Sequence, residues 1–323
     1  MKIFHCGKMA SEINRVCVLL STFNGELYLE EQLSSLANQT FSEFDIIARD
    51  DGSSDDTISI LQSAGVEVVC GDENIGPQLS FIKLVQAALE KPYYNYFLFC
   101  DQDDIWCDTK IETLLKAVRS SYPYQTKPVL AFSDLIVVNY RNEEIAPSFL
   151  KLQQLDPSRV SLNQLLTQNV VTGCATLFNR EMATLISSIN KDVLMHDWAS
   201  AILASLYGEL LFVDQPLVRY RQHNNNTIGV KKNELFDYYQ LLKKLLAGEH
   251  RPLNNNIKQA LVIYDHLDKS RVDGNKLQAL QAFISLKEQP SIKKTYLVLK
   301  FGFLKHGLVR NLAMIIGFLF EKK

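Results

Sequence analysis

The chain has 323 residues, 47% of them hydrophobic and 22% charged, with a formal net charge of -2. That is ordinary globular composition, enough for a sizeable core in one large domain with an appendage or in two domains. The near-neutral balance excludes a globally basic nucleic-acid binder. The cysteines, Cys6, Cys17, Cys70, Cys100, Cys107 and Cys174, form no C-x-x-C pair, and several lie in apolar runs. Reduced structural thiols in a reducing cytosol fit that pattern. The first fifteen residues hold no apolar segment long enough for a signal peptide. The longest apolar run, Leu312–Phe320, has nine residues, far short of the ~20 needed to span a bilayer. The expectation is a soluble or peripheral protein of the cytoplasm.

In chain order, "VCVLL" at 16–20 predicts a buried strand, and Leu27, Leu29, Leu33 and Leu36 have the spacing of a helix over Leu27–Ala37. "FDIIARDDGSSDDT" reads as a second strand closing in a polar turn, with Ser54 or Asp55 capping a helix through Leu61. "VEVVC" is a third strand, Pro77–Leu89 a helix and "YFLFC" a fourth strand. This alternation predicts an α/β fold with a mostly parallel sheet. Ligands in such sheets bind beyond the carboxyl ends of the strands. Ser21–Asn24, Asp50–Ser54 and Asp101–Asp104 all fall there. Next come a helix over Thr109–Val118, a hairpin around Arg141 and Asn142, a helix over Asp197–Leu206, the strand "ELLFVDQPLVRYR" and the turn-rich loop "QHNNNTIG". Beyond residue 230 the pattern is helical, rich in Leu and Lys, which divides the chain into 1–230 and a helical region over 231–323.

"YFLFCDQDDIW" sets three carboxylates within four positions at the end of an apolar strand. Desolvated anions there need a compensating cation. In an extended strand end, Asp101 and Asp103 point the same way and can face one ion. Oxygen-only ligands suit Mg²⁺ or Mn²⁺ carrying a diphosphate. That reading is preferred to a polar loop for Asp101 and Asp103, while Asp104 and Asp108 are assigned as caps of the following helix. The "ARDDGSSDDT" turn has no Lys and is not a phosphate-gripping loop. On its own it reads as an Asp-Gly turn with a capping Ser.

Together, "VLLSTFNGELYLEEQLSSLANQT", "IIARDDGSSDDT", "ENIGPQLSF" and "FCDQDDIW" resemble the inverting family 2 glycosyltransferases, most of all the bacterial rhamnosyltransferase-like subgroup, over about residues 15–230. The resemblance implies a GT-A (Rossmann-like) fold, a nucleotide-diphosphate sugar donor and a divalent metal. It assigns Ser21, Thr22 and Phe23 to the nucleoside, Asp51 to the base, and Asp101 and Asp103 to metal and diphosphate. In "MHDW" it makes Asp197 the general base, where sequence alone leaves base and helix N-cap side by side. "RYRQHNNNTIG" resembles a segment closing over the donor, with Arg221 on phosphate and His223 on metal or diphosphate. Gly173 and Cys174 match the acceptor side, with a Gly turn before a strand as good an explanation. Trp106 and Trp198 are candidates for stacking on sugar or for plain core, and His196 for packing. A Q-x-x-R-W motif is not visible, so one sugar per encounter is expected.

From Ser291 the chain is basic and apolar, which suggests docking on an anionic membrane. Lys300, Lys305 and Arg310 would lie about 140° apart on one uninterrupted helix. Either Gly302 and Gly307 break the segment, or it is core or a subunit contact. The expected activity is transfer of L-rhamnose from dTDP-L-rhamnose, or of a sugar from a UDP donor, to a glycan or polyprenyl-linked acceptor of surface polysaccharide (O-antigen or capsule), on the inner face of the membrane. The rivals are a sugar-nucleotide-binding protein without turnover and an aspartyl phosphatase. The latter is disfavoured by Ile105 two residues after Asp103 and by the motif's distance from the N-terminus. A two-carboxylate glycoside hydrolase would need neither metal nor nucleotide.

Overall fold

The computed structural model describes residues 15–71, 73–121, 126–189, 193–223 and 252–320. Two compact units emerge: residues up to Phe149 with Val171–Gln222, and Leu150–Val170 with His223–Lys323. The second unit thus recruits a segment from within residues 1–230, because Leu150–Val170 bonds to the helical region. Asn256 Nδ2 donates to Leu166 O and Thr167 O, and the Arg159 guanidinium donates to Leu304 O and Lys305 O.

The first unit runs β1 (Arg15–Thr22), α1 (Leu29–Ala37), β2 (Phe44–Asp50), α2 (Thr57–Ser63), β3 (Glu67–Cys70), α3 (Gly76–Leu89), β4 (Tyr94–Asp101), β5 (Ile105–Trp106), α4 (Lys110–Ser120), β6 (Val129–Asn139) and β7 (Glu144–Ala146). After the short helices α5 (Phe149–Leu152) and α6 (Leu162–Leu165) it resumes with β8 (Thr176–Asn179), α7 (Arg180–Ser187), α8 (His196–Tyr207) and β9 (Glu209–Gln222). The sheet order is β3-β2-β1-β4-β8-β6-β9-β5, with β7 on β6. β1, β2, β3 and β4 pair in parallel, β8 is antiparallel to both β4 and β6, and β6 pairs β9 in parallel. Val16–Leu20 of β1 are fully buried, as befits a central parallel strand covered on both faces.

The expected alternation is therefore present, with small differences. α1 starts at Leu29, because Gly25 O takes the N–H groups of both Tyr28 and Leu29 and leaves Leu27 76% exposed. α2 starts at Thr57, whose N–H and hydroxyl both donate to Asp55. The hairpin turns at Asn142, in the left-handed region at φ 63.

The second unit adds α9 (Asn254–His266), α10 (Gly274–Ser285), α11 (Ser291–Phe301) and α12 (Leu308–Phe320). Gly302 (φ +68) ends α11, and Gly307 (φ +76) precedes α12. Only glycine adopts such angles freely, so the basic tail is two helices rather than one. Arg310 turns inward, giving a hydrogen bond to Gln153 O. Among the described residues, no helix is long and apolar enough to cross a membrane.

Candidate active site

Sheet register brings the polar clusters together. Ser21 at the end of β1 lies opposite Asp101 on β4 and Arg49 on β2, and Thr22 lies opposite Asp50. The Ser21 hydroxyl shares a hydrogen bond with Ser80 on α3 at 2.8 Å. Thr22 is buried and donates to Asp50 Oδ1 at 2.9 Å. Phe23 is 44% exposed at the strand mouth. Its backbone is held on both sides by the Gln102 amide, with Phe23 N donating to Oε1 at 2.8 Å and Nε2 donating to Phe23 O at 3.0 Å. Gly25 belongs to the same join, because a Cβ there would collide with the Gln102 side chain.

The acidic turn after β2 is bonded internally. Asp50 accepts from Gly52 N, Ser53 N and the Ser53 hydroxyl. Asp51, assigned to the base, is buried; it pairs with Arg49 and accepts from Ile75 N at 3.1 Å and Gly76 N at 2.8 Å. Its carboxylate therefore anchors the amino end of α3 as well as bordering the site.

Asp101 and Asp103 are half-buried, and Asp104 is wholly buried. Burial and the neighbouring carboxylates of Asp104, Asp103 and Asp197 push the Asp101 carboxyl well above its ordinary range, against the pull of Lys110. Burial with Asp103 nearby raises Asp104 to about 7. Neither Asp104 nor Asp108 caps the next helix: Asp104 Oδ1 takes the Arg221 N–H at 3.1 Å, and the N-cap of α4 is Thr109, without a side-chain bond.

Two cations answer the acids from within the chain. Arg221, expected on phosphate, is instead buried inside the acidic loop. Its Nε donates to Asp103 O at 2.8 Å, Nη1 to Tyr140 O at 2.9 Å and Nη2 to Glu31, with the guanidinium over the Tyr28 ring. Strand β9 delivers it there, since β5 pairs β9 at Ile105–Arg219 and Trp106–Val218. The second cation is Lys110, fully buried over the Trp106 ring. Trp106 is therefore core rather than a sugar platform.

A carboxylate oxygen from each of Asp101 and Asp104 and the Cys174 sulfur lie within 4.8 Å of one another. Asp104 Oδ2 is buried with no well-formed hydrogen bond, although the weakly donating Cys174 thiol stands beside it. Such an orphaned oxygen beside a second carboxylate fits a hard divalent cation. The thiol contributes little to that set: burial pushes its pKa well up, and thiolates favour softer ions.

Asp197 sits in the first turn of α8, whose N-cap is Met195, so it is not the cap. Its Oδ2 accepts from Gly173 N at 3.0 Å and its Oδ1 from Trp198 N. Burial raises its pKa to about 6, moderated by those two bonds. It is near enough to Asp101 to disfavour that residue's charge. His196 packs against Phe81 and Phe99, and burial lowers its pKa to about 3, so it is neutral. Gly173 is required there, because a Cβ would lie 2.7 Å from His196 Nε2. Gly173 and Cys174 form a 3-10 turn leading into β8.

His223 is partly exposed and opens the second segment of the second unit. Residues 224–230, the rest of the segment expected to close over the donor, lie outside the described residues. Sequence reasoning overlooked Gln102 and Lys110. The legible signal for the latter was a lone lysine on the apolar stripe of α4, in line with Ile111, Leu114, Leu115 and Val118.

The family model "Glycosyl transferase family 2" matches residues 17–184. The chain is 25% identical over 300 residues to the dTDP-rhamnosyl transferase RfbG of Shigella flexneri, covering 87% of this chain and 98% of that protein. It is 24% identical over 269 residues to the UDP-Glc:alpha-D-GlcNAc-diphosphoundecaprenol beta-1,3-glucosyltransferase WfgD of Escherichia coli, covering 69% and 96%. Among solved structures, S. aureus TarS 1–349 in complex with UDP-GlcNAc superposes with a TM-score of 0.54 at 16% identity, covering 94% of this chain and 89% of that one. The expected GT-A architecture is the one observed.

Proposed function

The chain belongs to glycosyl transferase family 2 and is a glycosyltransferase; from that premise we propose that it moves a sugar, with inversion, from a nucleotide-diphosphate donor to a hydroxyl of a lipid-linked glycan. One observation carries this reading: the ends of β1, β2 and β4 set Ser21 opposite Asp101 and Thr22 opposite Asp50, with Asp197 close enough to sense the charge on Asp101. The phosphatase reading falls with the family assignment.

Ser21, Thr22 and Phe23 form the nucleoside side. The exposed Phe23 ring offers a face for stacking on the base or ribose, and Asp51 is assigned to the base. A bound Mg²⁺ or Mn²⁺, held by Asp101 and Asp103 with Asp104 behind, would neutralise charge on the departing diphosphate. His223 is assigned to the same diphosphate. Asp197 takes the proton of the acceptor hydroxyl. A carboxylate held near pKa 6 is ionised at neutral pH yet basic enough for that role. Inversion is the outcome of a single direct displacement by the acceptor oxygen as Asp197 takes its proton; burial keeps the Cys174 thiol protonated and unsuited to attack. Arg221 serves by shaping the acidic loop.

For the donor, dTDP-L-rhamnose is preferred, supported by RfbG, with UDP sugars next, supported by WfgD and TarS. A polyprenyl-diphosphate-linked acceptor is supported by WfgD. An acceptor of that kind supports a location at the inner face of the cell membrane. The exposed row Leu308, Val309, Leu312, Ile316, Leu319 and Phe320 on α12, with exposed Lys293 and Lys300 on α11, supports contact with an anionic bilayer.

The test is a thermal-shift screen of dTDP-L-rhamnose, UDP-glucose and UDP-GlcNAc with and without Mn²⁺, followed by counting released nucleotide diphosphate. A stabilising donor that binds more tightly with Mn²⁺ and is turned over is expected. Stabilisation without turnover by any of these donors, on supplying an undecaprenyl-diphosphate-linked sugar, would refute the proposed acceptor class.

A further inference from the structure

Lys110 opens α4 with its side chain wholly buried. Among the described residues, none of the ion pairs within 4.0 Å includes it. Its ammonium lies over the Trp106 ring and donates to the main-chain carbonyl of Cys174. Burial lowers its pKa to about 7, opposed by Cys174, Cys100, Asp104 and Asp101. Apolar side chains of similar volume usually pack such a place at no loss of stability, so a lysine here calls for a reason beyond packing.

The carbonyl it holds belongs to the 3-10 turn Gly173–Ala175. One residue earlier in that turn, Gly173 N donates to Asp197 Oδ2 at 3.0 Å. The turn is fastened at its other end by Ala175 N on Thr172 O and by the Thr176 hydroxyl on Gly173 O. Gly173 has little freedom on its outer side, where His196 closes in. A pull on Cys174 O is thus transmitted to the Gly173 N–H, which holds the Oδ2 side of the Asp197 carboxylate while Trp198 N holds Oδ1.

We propose that Lys110 is a positioning residue for the transfer, tying the turn Gly173–Ala175 to α4 so that Gly173 N–H holds Asp197 in register with the acidic cluster. The proposal rests on Asp197 being the general base. Lys110 touches neither donor nor acceptor in this role. Its effect therefore falls on turnover and passes through Asp197, whereas binding of the nucleotide at Phe23 and Asp103 is left unchanged.

The test has two arms. Hydrogen exchange over residues 171–177 of the full chain does not depend on the donor's identity. Lys110→Met, which keeps the shape and removes the donor, should speed exchange of the Gly173 amide at least tenfold, and Lys110→Arg should restore protection. The second arm counts dTDP released from dTDP-L-rhamnose with Mn²⁺. Lys110→Met should lower kcat by roughly ten- to a hundredfold with KM for the donor unchanged, since a misplaced catalytic group costs rate in that range. In an Asp197→Asn background the same substitution should add no further loss, because both changes break one unit. Native exchange in Lys110→Met, or losses that multiply with Asp197→Asn, would overturn the proposal. Full turnover by Asp197→Asn alone would instead overturn the base assignment, a separate and distinguishable failure.

Discussion

The Gln102 side chain brackets the Phe23 peptide: its Oε1 accepts from Phe23 N at 2.8 Å and its Nε2 donates to Phe23 O at 3.0 Å. The middle residue of Asp101-Gln102-Asp103 thereby fastens the acidic end of strand β4 to the chain leaving strand β1. Two neutral hydrogen bonds at ~0.5–1.5 kcal/mol each hold that join. Gln102→Leu should weaken binding of dTDP or UDP by about tenfold in titration calorimetry while Asp101 and Asp103 remain in place. Gln102→Glu should be worse, because a carboxylate would face Phe23 O where a donor is needed. Native affinity in both variants would show that the join is incidental.

Arg221 binds the acidic loop from beneath through Asp103 O, Tyr140 O and Glu31. Removing it strands two acceptors, although Glu31 is half-exposed and recovers by hydration. Arg221→Ala should destabilise the first unit by about 3 kcal/mol in chemical denaturation. Arg221→Lys should recover little, since an ammonium cannot reproduce the guanidinium's spread of donors. A loss confined to donor affinity, with unchanged stability, would return Arg221 to the phosphate.

The parallel core was legible because Val16–Leu20 and Tyr96–Cys100 are short apolar runs ending in polar clusters, and a two-residue periodicity or a buried run survives any tertiary context. The tail was legible to the point of a choice, which the left-handed Gly302 and Gly307 decide. What escaped was long-range. Arg221 looked like a phosphate ligand because nothing local shows that β9 returns beside β5 and feeds its guanidinium into the loop after β4. Asp104 looked like a cap for the same reason: its partner, Arg221 N, lies 117 positions away. Lys110 was passed over because a helix stripe is read for its apolar members, and its acceptor, Cys174 O, is distant in sequence.

Asp103→Ala should abolish the gain in dTDP or UDP affinity that Mn²⁺ confers, read by calorimetry with and without the ion. The loss should reach tenfold or more, because a carboxylate ligand supplies charge as well as a donor atom. Affinity without metal should change little or improve, since one repulsive charge near the diphosphate is gone. An undiminished Mn²⁺ effect would remove Asp103 from the ion.

Leu312 and Ile316 are exposed four residues apart on α12, so they share a face. Leu312→Glu with Ile316→Glu should abolish co-sedimentation with vesicles containing phosphatidylglycerol and leave dTDP-L-rhamnose hydrolysis intact. Lys293→Ala with Lys300→Ala should weaken binding roughly tenfold or more, from ~1 kcal/mol per basic residue near an anionic surface. Self-association lost in the Glu variant, with vesicle binding absent throughout, would assign the face to a second copy of the chain.

The pH dependence of turnover follows from Asp197. Its pKa is raised from an ordinary 3.8 to about 6 by burial, and only the ionised form accepts a proton. On this assignment kcat falls as pH drops through 6, by about tenfold at pH 5. Asp104 and Lys110, both near 7, titrate close by, so the limb must be assigned by substitution. Asp104→Asn should leave the limb near 6, whereas Asp197→Asn should cut turnover by ~10²–10⁴-fold and remove the limb from the residual rate. Stability runs the other way. Between about pH 4 and 6 the folded chain holds a proton at Asp197 that the unfolded chain has released, so stability declines as pH rises through that window. At pH 7 the ionised, buried carboxylate is a burden on the order of 1–3 kcal/mol. Asp197→Asn should therefore be severely slowed yet at least as stable as the native chain at pH 7, with the advantage vanishing below pH 4. A slowed variant that is instead markedly less stable would make Asp197 a structural residue rather than a base.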